Sequence, residues 1–179
     1  TMDHIEKELE AGRAVILPTE TVYGIFAKAL DQEAVDYIYE LKRRPRDKAL
    51  NLNVANEKTI RIYSKNQPGY LTKLIDSFLP GPLTIILQAN DKVPDWIHSG
   101  LDTVGFRIPA HPKTLELIHK FGPLVGPSAN LSGHASGTKY QAIISEFDQV
   151  VPGVEDDDFL TGQDSTILDI SGSKARILR

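Results

Sequence analysis

The chain has 179 residues, 41% hydrophobic and 25% charged, with a formal net charge of −4; it suits a single domain, 1–179, able to bury roughly 70% of its unfolded surface. The absence of cysteine excludes disulfides, thiolate catalysis and Cys-based zinc sites and fits a reducing compartment, so a cytoplasmic location is expected. A pI near 5.7 argues against a broad nucleic-acid-binding face, and no apolar run approaches the roughly 18 residues of a membrane span, so neither export nor insertion is expected.

Ile5 and Leu9 share one face of a short helix closed by Gly12, and residues 14–17 read as a buried strand ending at Pro18. That strand delivers Thr19-Glu20-Thr21 to a sheet edge. Asp31 is placed to cap a helix with apolar positions Ala34, Val35, Ile38 and Leu41, stopped by Pro45. Residues 50–54 alternate as a strand, helical stretches follow at 58–63 and 69–78, and Pro80-Gly81-Pro82 forces a break. Strands are predicted at 84–87 and 103–108, and a helix at 114–121 with Leu115 and Ile118 inward. A strand at 124–126 feeds Pro127-Ser128-Ala129-Asn130, residues 138–147 are predicted helical, and 166–170 and 175–178 close the chain as strands. The alternation predicts an α/β domain with a mixed sheet.

Five basic side chains fall within the seven residues Lys42 to Lys48 of this acidic chain. Their bland reading is a solvated, dipole-complementing helix end. The functional one turns a few of them onto a polyphosphate, Arg giving forked hydrogen bonds and Lys a point charge. Helical geometry keeps Lys42 and Arg44 off the face of Arg43, so only part of the cluster can meet one ligand.

The segment Pro18-Thr19-Glu20-Thr21-Val22-Tyr23-Gly24 sets two hydroxyls, a carboxylate and a phenol just after a buried strand, where open α/β sheets build ligand sites. The alternative is a polar capping turn. Gly126 to Gly133 combines small residues, hydroxyls and an amide, which lets backbone donors approach an anion. Neither a P-loop nor a Rossmann fingerprint occurs. The five histidines lack a metal-ligand spacing and are expected at the surface or behind the site. Ser128 lacks a G-x-S-x-G elbow, and residues 155–158 read as an acidic solvated loop.

Six segments occur in order: residues 18–24, the Lys42-x-Arg44-Pro45 step, Pro80-Gly-Pro-Leu-Thr84, Arg107-Ile-Pro-Ala-His-Pro112, Pro127-Ser-Ala-Asn130 and Ser165-Thr-Ile167. Together they resemble the YrdC/TsaC family of threonylcarbamoyl-AMP synthases over nearly the whole chain. The resemblance implies a twisted mixed sheet with flanking helices and a concave, positively charged cavity. It also implies conversion of L-threonine, bicarbonate and ATP, with Mg2+ and no tightly bound cofactor, to threonylcarbamoyl-adenylate and pyrophosphate. The product would pass to a downstream tRNA threonylcarbamoyl transferase complex. By that resemblance Lys42 and Arg44 are catalytic, and Arg44, Lys48, Thr103, Ser128, Asn130, Ser136 and Arg179 hold ATP. Thr21, Asn53, Arg107, Gly126 and Ser165 hold threonine.

The chain departs from the family pattern at Lys48-Ala49, where Asn-Pro is usual, at Asn53, where histidine is frequent, and around Ser136. Its length resembles the short form of the family. No residue is an obvious nucleophile, and no general base is identifiable, so positioning and charge stabilisation are expected to carry catalysis. One rival reading is a carbamoyl-adenylating enzyme of the same fold; Thr21 with Arg107 favours threonine. Another is a translation-associated RNA-binding module, with weak binding of tRNA or double-stranded RNA. The acidic charge and the lack of an aromatic stacking platform count against it.

Overall fold

The computed structural model describes residues 2–135 and 137–179. In chain order the elements are α1 (Met2–Glu10), β1 (Val15–Leu17), β2 (Gly24–Lys28), α2 (Gln32–Lys42), β3 (Leu52–Asn53), α3 (Glu57–Ile62), β4 (Ser64–Lys65), α4 (Leu71–Phe78) and β5 (Leu83–Ala89). There follow α5 (Asp95–His98), β6 (Thr103–Arg107), α6 (Pro112–Phe121), β7 (Leu124–Val125), α7 (Tyr140–Ile144), β8 (Thr166–Asp169) and β9 (Arg176–Ile177).

The strands form one mixed sheet in the order β1-β2-β7-β3-β6-β5-β8-β9, with β4 on β5. Only β3–β6 and β5–β8 are parallel pairs; the others are antiparallel. The predicted mixed α/β sheet is therefore the observed one.

Strand alternation explains why the run at 14–17 is apolar on both sides. Val15 and Leu17 join Ile5 and Leu9 of α1 and Leu117 and Ile118 of α6 in one cluster, while Ile16 turns to the opposite face with Ala34, Val35 and Ile38 of α2. In β2, Phe26 faces the first cluster and Ile25 and Ala27 the second. A strand covered on both faces reads as continuous hydrophobicity, each such side chain contributing about 1.5–3 kcal/mol.

Several elements depart from expectation. Residues 24–28 form a strand that the preceding polar motif and Gly24 obscure, and the two-residue β4 and one-turn α5 are too short to show a period. In α6 it is Thr114, Leu117 and Ile118 that are buried; Leu115 is only partly covered. Of the two places expected for the histidines, the surface or behind the site, His111 at 3% exposed takes the buried one. Its Nδ1 accepts from the Lys113 N–H at the start of α6, and its Nε2 meets Asp156 Oδ2 at 2.7 Å.

The acidic segment is likewise tied down. The Tyr23 hydroxyl donates to Asp157 Oδ1 at 2.7 Å and accepts from the Asp156 N–H at 2.7 Å. Burial, and then the Asp157 carboxylate, push the Tyr23 phenol well above its ordinary range. The bond from Tyr23, and then that from the Tyr140 N–H, hold Asp157 below the usual carboxylate range.

Candidate active site

A cavity of about 210 Å³ opens where the turn after β1, the loop after α2, the loop after β7 and the approach to β8 converge on the ends of β3 and β6. Three guanidiniums, Arg44, Arg107 and Arg179, and one carboxylate, Asp164, lie on its described wall.

The first wall is set by register. The parallel pairing of β3 with β6 puts Asn53 beside Arg107, and both line the cavity. Arg107 Nη2 donates to the Thr21 hydroxyl at 2.9 Å and to Glu20 Oε1. Glu20 Oε2 also accepts from the Ala110 N–H at 2.6 Å. Thr21 in turn meets the Thr19 hydroxyl at 3.0 Å, and the Thr19 hydroxyl approaches the Val22 carbonyl at 2.6 Å. These short polar side chains replace backbone pairing where the chain leaves β1.

The second wall begins at the end of α2. Arg43 takes the left-handed conformation (φ 52°, ψ 42°), with Arg43 N–H bonded to the Glu40 carbonyl and Arg44 N–H to the Tyr39 carbonyl. This Schellman-type ending reverses the chain and divides the basic cluster. Arg43 points out to Asp148 at 2.9 Å. Arg46 pairs with Asp36 and lies over the Tyr39 ring. Arg44 faces the cavity, its Nη2 donating to the Ala49 carbonyl at 2.8 Å.

Lys42 does something else. The residue is 2% exposed, and its ammonium donates to the carbonyls of Ser128 at 2.6 Å and Asn130 at 2.7 Å and to Asn130 Oδ1 at 3.3 Å. Burial, then the Arg44 charge, lower it to about 8. It lies behind the 126–130 loop and not on the cavity wall, where it holds that loop through the Ser128 and Asn130 carbonyls.

The loop it holds carries Gly126 and Ser128 on the wall. The Ser128 hydroxyl donates to Asn130 Oδ1 at 2.5 Å, and Asn130 Nδ2 donates to the Leu131 and His134 carbonyls. Asn130 therefore shapes the loop from behind. At Gly126 a Cβ would fall closer than 3.0 Å to the Phe26 ring, so only glycine permits this approach.

The third wall is Ser165, whose hydroxyl meets that of Thr84 at 2.8 Å. Arg179 Nε donates to the Ser165 carbonyl at 2.9 Å and Nη2 approaches its hydroxyl at 3.3 Å.

Thus Thr21, Arg44, Asn53, Arg107, Gly126, Ser128, Ser165 and Arg179 come together on one surface. Lys48 is exposed beside the mouth, engaged through its carbonyl with the Tyr39 hydroxyl. Thr103 sits four residues along β6 from Arg107, about 13 Å at strand rise. Neither is on the cavity wall. Ser136 lies outside the described residues. Thr19, Thr84 and Asp164 are wall residues absent from the expected set. The first two stand inside quoted motifs, and Asp164 directly precedes one. Among the described residues, Nε of Arg44 and Nε of Arg107 are the buried side-chain polar atoms without a partner.

Comparison with known proteins gives the family and the fold. The Sua5/YciO/YrdC family model, described as "Telomere recombination", matches residues 7–179. Threonylcarbamoyl-AMP synthase of Pyrococcus abyssi is 38% identical over 96% of this chain and 51% of its own length. That of Bacillus subtilis is 37% identical over 96% and 50%. The chain therefore spans about half the length of these two relatives. A solved structure of P. abyssi Sua5 complexed with L-threonine superposes with a TM-score of 0.91 at 36% identity, covering 98% of this chain and 52% of that one. With its family model matched over nearly its whole length and its fold shared with P. abyssi Sua5, this chain belongs to the Sua5/YciO/YrdC family.

Proposed function

We propose that residues 1–179 act as one YrdC-like domain that makes threonylcarbamoyl-adenylate and pyrophosphate from L-threonine, bicarbonate and ATP. The observation that carries this reading is the pair of buried, unpartnered guanidinium Nε atoms of Arg44 and Arg107 at one cavity. An unpaired buried donor is costly, and two anionic groups on one substrate set would answer both. The names of the relatives and the threonine complex of P. abyssi Sua5 supply the substrates.

In this reading Arg107 and Thr21 receive the threonine carboxylate, with Asn53, Gly126 and Ser165 around the rest of the amino acid. Arg44, Ser128 and Arg179 face the phosphates and nucleotide. The threonine amine attacks the carbon of bicarbonate, and water leaves to give a carbamate. A carbamate oxygen then attacks the α-phosphorus in line, the bond to the β-phosphate oxygen breaks, and pyrophosphate departs. Charge on the leaving group is met by the Arg44 guanidinium, preorganised by the loop after α2, with Arg179 held by Ser165 facing it.

The described residues contain no cluster of three His, Asp or Glu side chains suited to a metal. Asp164 is the single carboxylate among the described wall residues, which fits an ion carried by the ATP phosphates better than an all-protein magnesium cage. Transfer of the product to a tRNA-modifying transferase complex and a cytoplasmic setting belong to the same proposal. No helix is long and apolar enough to cross a membrane among the described residues.

The test is pyrophosphate release from ATP by the purified chain with threonine and bicarbonate each omitted in turn. Release needing both supports the reading. Release that ignores threonine but needs carbamoyl phosphate would replace it with carbamoyl adenylation.

A further inference from the structure

We infer that Glu20 is the positioning residue that aims Arg107 at the amino-acid substrate and so sets affinity for that substrate alone. The inference rests on the threonine reading of the cavity. Glu20 does not line the cavity, yet its carboxylate is shared between the Arg107 guanidinium and the Ala110 N–H, and its side chain and that of Arg107 are each 13% exposed.

Both Glu20 oxygens are therefore engaged, one by the guanidinium and one by the backbone. Its backbone is fixed as well: the carbonyl of Glu20 accepts from the Thr161 N–H at 3.1 Å, and that of Thr21 from the Gly162 N–H at 2.9 Å. Glu20 thus ties the turn after β1 to the chain following β6 and to the segment that leads into Ser165.

The consequence for Arg107 is directional. A guanidinium has five donors in a fixed plane, and Glu20 with Thr21 takes those of Nη2. The plane is then locked, with Nε unpartnered. Without the carboxylate only the Thr21 hydroxyl would hold the guanidinium, and a substrate carboxylate would have to bear more of the cost of ordering it. Arg44 shares none of these contacts, so the nucleotide side should not sense the change.

The experiment is calorimetric binding of threonine and of ATP to the wild type, Glu20→Gln, Arg107→Ala and the double variant. For Glu20→Gln the threonine Kd should rise roughly tenfold to a hundredfold, the worth of one oriented charge-assisted contact, while the ATP Kd stays within about twofold. In the Arg107→Ala background the second substitution should add less than about twofold, because the group it aims is gone. Equal losses for both ligands, unchanged threonine binding, or additive effects in the double variant overturn the role. Should Glu20→Gln fail to melt cooperatively, Glu20→Asp decides. It keeps the charge but is too short to reach both Ala110 and Arg107, and it should show the same threonine-only loss. A wild type that binds ATP but not threonine would instead remove the threonine reading itself.

Discussion

Replacing Lys42 by methionine removes a buried cation but keeps most of its length and volume, and its effect should depend on pH in a defined direction. Of the three acceptors that the ammonium serves, the Ser128 carbonyl also accepts from the Asn130 N–H, and Asn130 Oδ1 from the Ser128 hydroxyl. Only the Asn130 carbonyl loses the one donor described for it. Orphaning that group costs about 1–3 kcal/mol, and thinning the other two about 0.5–1.5 kcal/mol each. Against this, burial and the Arg44 charge lower Lys42 from 10.5 to about 8, so at pH 7 the charged lysine itself costs about 3 kcal/mol, which methionine relieves.

The two sides nearly cancel at pH 7, and the melting temperature should move by less than about 10 °C. They do not cancel in alkali. A lysine whose folded value is depressed adds stability that is complete above its unfolded value of 10.5 and lost as pH falls through about 8. The wild type should therefore gain about 2.5 kcal/mol on Lys42→Met between pH 7 and pH 10, other titrations cancelling in the difference. Denaturant unfolding of both proteins at pH 7, 8.5 and 10 measures this gap. A gap that stays constant or narrows would refute the placement of a charged, buried Lys42 against the loop.

Three further outcomes are expected. Arg44→Ala should lower kcat/KM for adenylate formation by about a hundredfold or more through loss of the proposed phosphate contacts. Arg43→Ala, whose pairing with Asp148 is solvent-exposed at both ends, should stay within about twofold in activity and about 0.5 kcal/mol in stability; equal losses from the two would remove the division made by the left-handed Arg43. Gly126→Ala should destabilise by about 1–3 kcal/mol through collision with Phe26, read as a lower denaturant midpoint, whereas a neutral result would mean the ring moves freely aside. Tyr23→Phe should cost about 1–3 kcal/mol by stranding the Asp156 N–H, and a wild type that also lacks a late-titrating phenol would contradict that burial.

What the sequence makes legible and what it withholds divide along chain separation. The Asp31 cap of α2, the faces of α1 and the buried run at 15–17 depend on neighbours a few positions away, and each formed as its pattern predicts. The wall residues Thr21 and Ser128 stand in short polar motifs that follow strands, where open sheets gather ligands, whereas Arg107 and Ser165 were legible only through the family resemblance. Lys42 and Arg44 were not separable that way. Both are cations in or after one helical turn, and whether an ammonium meets a phosphate or a carbonyl depends on where a loop 86 positions later packs.

Glu20 is the sharper case. In the sequence it is one polar residue among several in a turn, and its meaning appears only when β6 brings Arg107, 87 positions on, to the same edge of the sheet. A carboxylate beside a cavity lined by three guanidiniums looks misplaced if the site binds anions as proposed. It makes sense once one partner is a guanidinium that must be held still, since a fixed cation stabilises a substrate carboxylate at less entropic cost than a mobile one. The acidic 155–158 segment repeats the logic a layer further out, Asp156 and Asp157 fixing His111 and Tyr23 on either side of that turn. Glu20, Asp156 and Asp157 thus stand behind the cavity wall, where they fix Arg107, His111 and Tyr23.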